Sequence, residues 1–208
     1  MRKFITNLLN KINWEWYFKW KYGNKYLLKL KDHAEIAAVL NEGNYLILSR
    51  RSSHLTTYLI ALVHFILTGK WGYWGHISMN IEKDIIKDFN EFKFIESVGS
   101  GVKKSSFHQI FNCDSIAILK PKCPDGIEWE KVIEESLSNL GKKYDLELDL
   151  NDESKMNCVE LILDALKQVP NYEYKFHGLL AEIKQQKNLT PDMFYECGSF
   201  DVILEIRR

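Results

Sequence analysis

The chain has 208 residues, with 28 Lys and Arg against 28 Asp and Glu. A formal net charge of zero argues against a general nucleic-acid binder, which needs a basic excess to displace phosphate counterions. A composition of 46% hydrophobic and 27% charged residues excludes a disordered chain and fits one globular domain with an appendage.

The zero is a cancellation. Between Met1 and Lys31 stand eight basic residues and Glu15 alone, whereas Asp125 to Asp164 holds twelve acids and four lysines. The first thirty residues mix Trp14, Trp16, Tyr17, Phe18 and Trp20 with Lys11, Lys19 and Lys21. This pattern suits an amphipathic helix packed on its own domain or lying on a membrane surface. Asn7, Asn10, Lys11, Asn13 and Glu15 interrupt any signal-peptide core. The longest apolar run, near Leu55 to Leu67, falls short of the roughly twenty residues of a bilayer span and reads as a buried helix. Cys113, Cys123, Cys158 and Cys197 lack Cys-x-x-Cys spacing, so reduced thiols are expected rather than a disulfide framework. Together these features point to a cytoplasmic or membrane-peripheral protein.

In chain order, residues 32–41 read as a short helix ended by Gly43, and 44–49 as an apolar strand. A helix over about 53–68 is stopped by Gly69. The strand over 74–81 alternates, with His76, Ser78 and Asn80 on one face and Ile77, Met79 and Ile81 on the other. A third strand, 92–98, puts Phe92, Phe94, Glu96 and Val98 on one face, and Gly99 and Gly101 break it. A fourth strand covers 115–119, closed by Pro121. Asp125, three residues before Glu128, has capping-box spacing for a helix over 127–140. A helix begins at Cys158, Thr190-Pro191 opens a shorter one, and an alternating strand over 200–206 ends the chain. Strands and helices without regular alternation favour an α+β fold.

Cys158 is the first residue of its helix's apolar face. There the helix dipole and unpaired N–H groups favour a thiolate. A nucleophile also needs a base, and His76, on the polar face of its strand after Gly75, is the candidate. Glu96 is one carboxylate on an otherwise apolar face. A buried carboxylate is costly without a partner, and an imidazole N–H would supply one. His54 and His64 lie ten positions apart on one helix and point in different directions. The other histidines have no ligand at metal spacing, so neither a metal nor a cofactor is expected.

Several short motifs occur in order: Leu46-Ile47-Leu48-Ser49-Arg50, Trp74-Gly75-His76-Ile77-Ser78, Phe94-Ile95-Glu96-Ser97-Val98-Gly99, Gly141-Lys142-Lys143-Tyr144-Asp145 and Asn157-Cys158-Val159-Glu160-Leu161. This series resembles the circularly permuted branch of the NlpC-type papain-like superfamily, the YiiX-like proteins, which are related to lecithin retinol acyltransferase. The resemblance covers about residues 44–206. It implies a circularly permuted papain-like fold, a small antiparallel sheet packed against helices, with residues 1–42 as an N-terminal helical extension and 43–208 as the catalytic domain. It implies Cys158 as nucleophile, His76 as base, Glu96 as the residue orienting the base, and Tyr144 near the cleft, while Glu160 is taken as structural. Gly43-Asn44-Tyr45 stands where the family has Gly-Asp, and Val159 follows the cysteine where serine is usual. These departures touch the substrate more than the chemistry.

The expected activity is a thiol hydrolase acting on a peptide or isopeptide-like amide. The alternatives are a lipid-directed acyltransferase or acyl hydrolase at a membrane surface, and a non-catalytic binding module. The expected partner is a peptide- or lipid-derived acyl substrate, with membrane contact through the N-terminal segment as a further option.

Overall fold

Alternating apolar residues build the centre of the molecule. In the computed structural model, which describes residues 27–52, 54–123, 127–145, 152, 154–185 and 190–208, six strands form one antiparallel sheet. They are β1 (Leu46–Arg50), β2 (His76–Asn80), β3 (Phe94–Val98), β4 (Gly101–Ser105), β5 (Ser115–Pro121) and β6 (Phe200–Ile206), in the order β4-β3-β2-β1-β5-β6. The described helices are α1 (Leu30–Glu42), α2 (Leu55–Thr68), α3 (Phe107–Ile110), α4 (Trp129–Ser138), α5 (Cys158–Leu166), α6 (Tyr172–Lys175), α7 (His177–Gln185) and α8 (Asp192–Glu196). The fold is α+β, as expected.

The pleat separates two cores. Leu46, Leu48, Ile77, Met79, Ile95, Ala117 and Leu119 pack with α5 and with Val132, Leu179 and Phe194 from α4, α7 and α8. The intervening residues Ile47, Phe94, Ile116 and Ile118 pack with Ile36, Ala37 and Leu40 of α1 and with Phe107 and Phe111. Each fully buried aliphatic side chain contributes roughly 1.5–3 kcal/mol, so both sheet faces are anchored. Helix α1 belongs to the second core, and Asp32 near its start binds the Arg208 guanidinium at the chain's other end, at 2.5 Å.

The sequence reading and the structure part at four places. Gly99 and Gly101 do not end the sheet. They flank a turn into β4, which pairs with β3 through Glu96↔Lys103 and Phe94↔Ser105. The helices α3, α6 and α7 were not expected: α3 is four residues long behind its Ser106–Gln109 capping box, and α6 and α7 carry no capping or periodicity signal strong enough. Helix α4 begins after Glu128, and the expected cap, Asp125, lies outside the described residues, as do residues 1–26 of the aromatic and basic N-terminal segment.

The fourth difference is a correction. The apolar run forms α2, ended by Gly69 in the left-handed region at φ 75°, but it is not a buried helix. Thr57, Ala61 and His64 face inward, while Leu59, Leu62, Phe65 and Ile66 face outward. The cause is what lies beneath it. A Cβ at Gly72 would come within 2.8 Å of His64 Cβ and 3.0 Å of Ala61 Cα, and one at Gly75 within 2.8 Å of Thr57 Oγ1. Only a row of small or flat side chains fits against those glycines. Two of its polar atoms find partners there: Thr57 Oγ1 donates to Arg51 O, and His64 Nδ1 lies 2.8 Å from Thr190 Oγ1, while the nearest carboxylate oxygen to His64 Nε2, that of Glu196, is 3.7 Å away.

Candidate active site

Helix α5 begins with a reciprocal cap. Asn157 Oδ1 accepts from Val159 N at 2.9 Å and Glu160 N at 3.0 Å, and Glu160 Oε2 accepts from Asn157 N at 2.7 Å. Glu160 is thus structural, as the resemblance implied. The cap fixes the first turn and places Cys158, 4% exposed, at its very start. It also occupies the Val159 and Glu160 amides, so the Cys158 N–H is the first-turn amide to which the cap supplies no acceptor.

The approach to α5 is tied to the sheet. Ser97 Oγ donates to Met156 O at 2.5 Å, and Met156 N donates to Lys143 O at 2.8 Å. The Lys143 segment is in turn held against β4, with Val102 N donating to Lys142 O at 2.9 Å. Gly101 makes this possible. Its φ of +101° suits glycine, and a Cβ there would sit 2.3 Å from Lys142 O. These bonds bring Tyr144 to the cysteine, close enough for its phenol to couple to the Cys158 sulfur. Burial, then the neighbouring Cys158 and Glu160 charges, push the phenol well above its usual range, so it remains a donor.

His76 is the first residue of β2 and its side chain is 23% exposed. Its Nε2 lies 2.9 Å from Glu96 Oε2, and the ring also lies close enough to Cys158 for the two groups to couple. Burial alone would depress the imidazole. The interactions with Cys158 and then Glu96, with their charges, outweigh it and raise the pKa from 6.5 to about 10. Glu96 shows the converse. Burial pushes its carboxyl up, but the bond and charge of His76 and the bond from Ser105 outweigh it, leaving it at about 2. The register explains the reach: Ser78 faces Glu96, so His76 is the diagonal neighbour two residues along.

Cys158, His76, Glu96 and Tyr144 therefore converge on one point. Two further groups went unforeseen. Ser105 Oγ donates to Glu96 Oε1 at 2.5 Å, and Lys103 Nζ lies 3.8 Å from the same oxygen. Both stand on β4, the strand that the two glycines concealed. Asn157 was legible, since Asn followed three positions later by Glu is a capping signal. The other thiols are differently placed. Cys113 is fully buried and its thiol is pushed up to about 12, and burial also raises Cys197. His64 lies apart, bonded to Thr190.

No family model matches the chain, and none of the curated proteins does. Among solved structures it is similar to the metalloprotein YiiX from Escherichia coli O157:H7, at 15% identity and a TM-score of 0.50, over 80% of this chain and 97% of that one. At that identity the likeness is one of fold. Among the described residues there is no group of three or more His, Cys, Asp or Glu side chains arranged to hold a metal ion, and none of the described helices is long and apolar enough to cross a membrane.

Proposed function

We propose that the protein is a thiol hydrolase cleaving a peptide or isopeptide-like amide, on a fold we read as circularly permuted papain-like. One observation carries this: the His76 ring is held between the Cys158 sulfur and the Glu96 carboxylate. A histidine with a sulfur on one side and a buried carboxylate on the other is the arrangement that activates a nucleophile and fixes the base.

In this reading the thiol proton already resides on His76, which its raised pKa keeps as imidazolium at neutral pH, and the Cys158 thiolate beside it attacks the amide carbonyl carbon. The oxyanion is met by the Cys158 N–H and the Tyr144 hydroxyl. Collapse breaks the C–N bond, and the imidazolium gives its proton to the departing amine. Water, losing a proton to His76, attacks the thioester. The C–S bond breaks and the acid leaves. Glu96 stays ionised throughout, compensating the imidazolium. Ser105 holds Glu96 in place and is a positioning residue.

The test needs no substrate. Iodoacetamide at neutral pH should alkylate Cys158 faster than Cys113, Cys123 and Cys197, and His76→Ala should slow that labelling by about a hundredfold. Equal rates at the four thiols, or an unchanged rate in His76→Ala, would leave a non-catalytic module as the better reading.

A further inference from the structure

Helix α2 is inside out. A helix on the surface of a globular domain turns its apolar side chains to the core and its polar ones to water. Here Thr57, Ala61 and His64, the last 0% exposed, are turned in, and Leu59, Leu62, Phe65 and Ile66 are turned out, Ile66 at 71% exposure. Trp71, also exposed, extends the stripe, its ring centroid 5.8 Å from that of Phe65. The inner face is fixed by Gly72 and Gly75, so the helix cannot rotate to hide the stripe. A contiguous apolar patch with no core role marks a docking surface.

The charge around it says what docks. None of the 14 residues of α2 is Asp, Glu, Lys or Arg, and between Glu42 and Glu82 the sequence holds no Asp or Glu at all. The formal charges within that stretch are Arg50, Arg51 and Lys70. Lys70 is exposed beside Trp71, and its nearest acid is Glu196 at 3.7 Å. A Trp beside a Lys at the edge of an aliphatic stripe is the composition of the membrane–water interface.

The chain also enters the described fold near the start of this helix. Leu28 N donates to Cys113 O, the next residue's Asp114 N donates to Arg50 O, and exposed Lys29, Leu30 and Lys31 follow. The sequence before residue 27 adds six basic residues against Glu15, with Trp14, Trp16 and Trp20.

We propose that the outward face of α2, from Leu59 to Trp71, lies in the headgroup region of an anionic lipid bilayer. The helix is too short to span a bilayer and lies along the surface. Its inner face touches Gly75, the residue before His76, so docking would hold the candidate site at the membrane. This inference does not depend on the reaction, since the surface exists whatever Cys158 does.

The experiment uses the full chain and vesicles of phosphatidylcholine with or without phosphatidylglycerol. Co-sedimentation is expected with the anionic vesicles, weakening as salt rises. Ile66→Asp and, separately, Phe65→Asp should each lower the partition coefficient by about tenfold, with the thermal midpoint and the Cys158 alkylation rate unchanged. Three results would overturn the proposal. One is no binding to anionic vesicles by the unsubstituted chain. Another is binding that both substitutions leave intact, which would assign it to other residues. The third is a dimer that Ile66→Asp converts to monomer without vesicle binding, which would make the face a contact between copies. Loss of alkylation with vesicle binding intact would count against the hydrolase reading alone.

Discussion

Helix α5 buries Leu161, Ile162, Ala165 and Leu166, seals its first turn with Asn157 and Glu160, and offers Cys158 to His76. Helix α2, packed behind Gly75 beside the same histidine, buries Thr57 and His64, has no side-chain cap at His54, and exposes its bulkiest residues. Both are apolar helices of one domain, yet they are built in opposite senses. The first spends its apolar surface on the core; the second leaves it facing solvent. Hydrophobicity along a chain tells where apolar surface exists, and the partner beneath each helix decides which way it points.

The sharpest break of this comparison is a pair of truncations. Ile162→Ala, at a fully buried position of α5, should cost about 2–5 kcal/mol by urea unfolding. Ile66→Ala on α2 should stay within about 0.5 kcal/mol of the unsubstituted chain. Equal losses would mean that the α2 stripe is part of the core, and the contrast would fall.

The two helices also differ in how far the sequence reveals them. For α5, period, capping and chemistry agree: Cys158, Leu161, Ile162, Ala165 and Leu166 follow one face, and the structure buries them all. The oddity of Glu96 on its strand was likewise a usable signal, since an isolated carboxylate among Phe and Val needs a partner. For α2 the apolar residues occupy nearly every position, so no face is singled out, and the deciding residues are Gly72 and Gly75 on another segment. Ser105 and Lys103 were hidden for a related reason. Two glycines, three and five residues beyond Glu96, read as the end of a strand, whereas Gly101 is there because the Lys142 carbonyl passes too close for any side chain.

A smaller effect tests the contact by which α2 reaches the site. In Gly75→Ala the new methyl would lie 2.8 Å from Thr57 Oγ1 and 2.9 Å from Thr57 Cγ2. Overpacking of this kind costs about 1–3 kcal/mol, and displacement of the backbone before His76 should slow Cys158 alkylation. Thr57→Ala in the same chain should recover part of both losses, giving a non-zero coupling in a double-mutant cycle. Strict additivity would show that α2 and β2 do not press on one another, and that α5 alone sets the position of the imidazole.

The smallest effect separates the two sides of His76 by pH. On the α5 side the histidine is coupled to charge; the α2 stripe is neutral. His76 is raised from 6.5 to about 10 in the folded chain, so its stabilising contribution is complete below 6.5 and is lost as pH rises through about 10. Glu96 is lowered from 4.5 to about 2, so its contribution is present above 4.5 and is lost as pH falls through about 2. Cys158 and then Glu96 raise the histidine, while His76 leads in lowering the carboxyl, and both contributions are complete only between 4.5 and 6.5. Glu96→Gln keeps a hydrogen-bonding side chain of the same shape and removes the charge. Its stability deficit, on the order of 1 kcal/mol, should therefore be widest in that window and narrow on both sides of it. Ile66→Ala should instead run parallel to the unsubstituted chain at every pH, because Ile66 is exposed and no residue of α2 is Asp, Glu, Lys or Arg. A Glu96→Gln deficit that stays flat from about pH 3 to pH 10 would mean that the imidazole is held by shape alone. Charge would then cease to distinguish the α5 side from the α2 side.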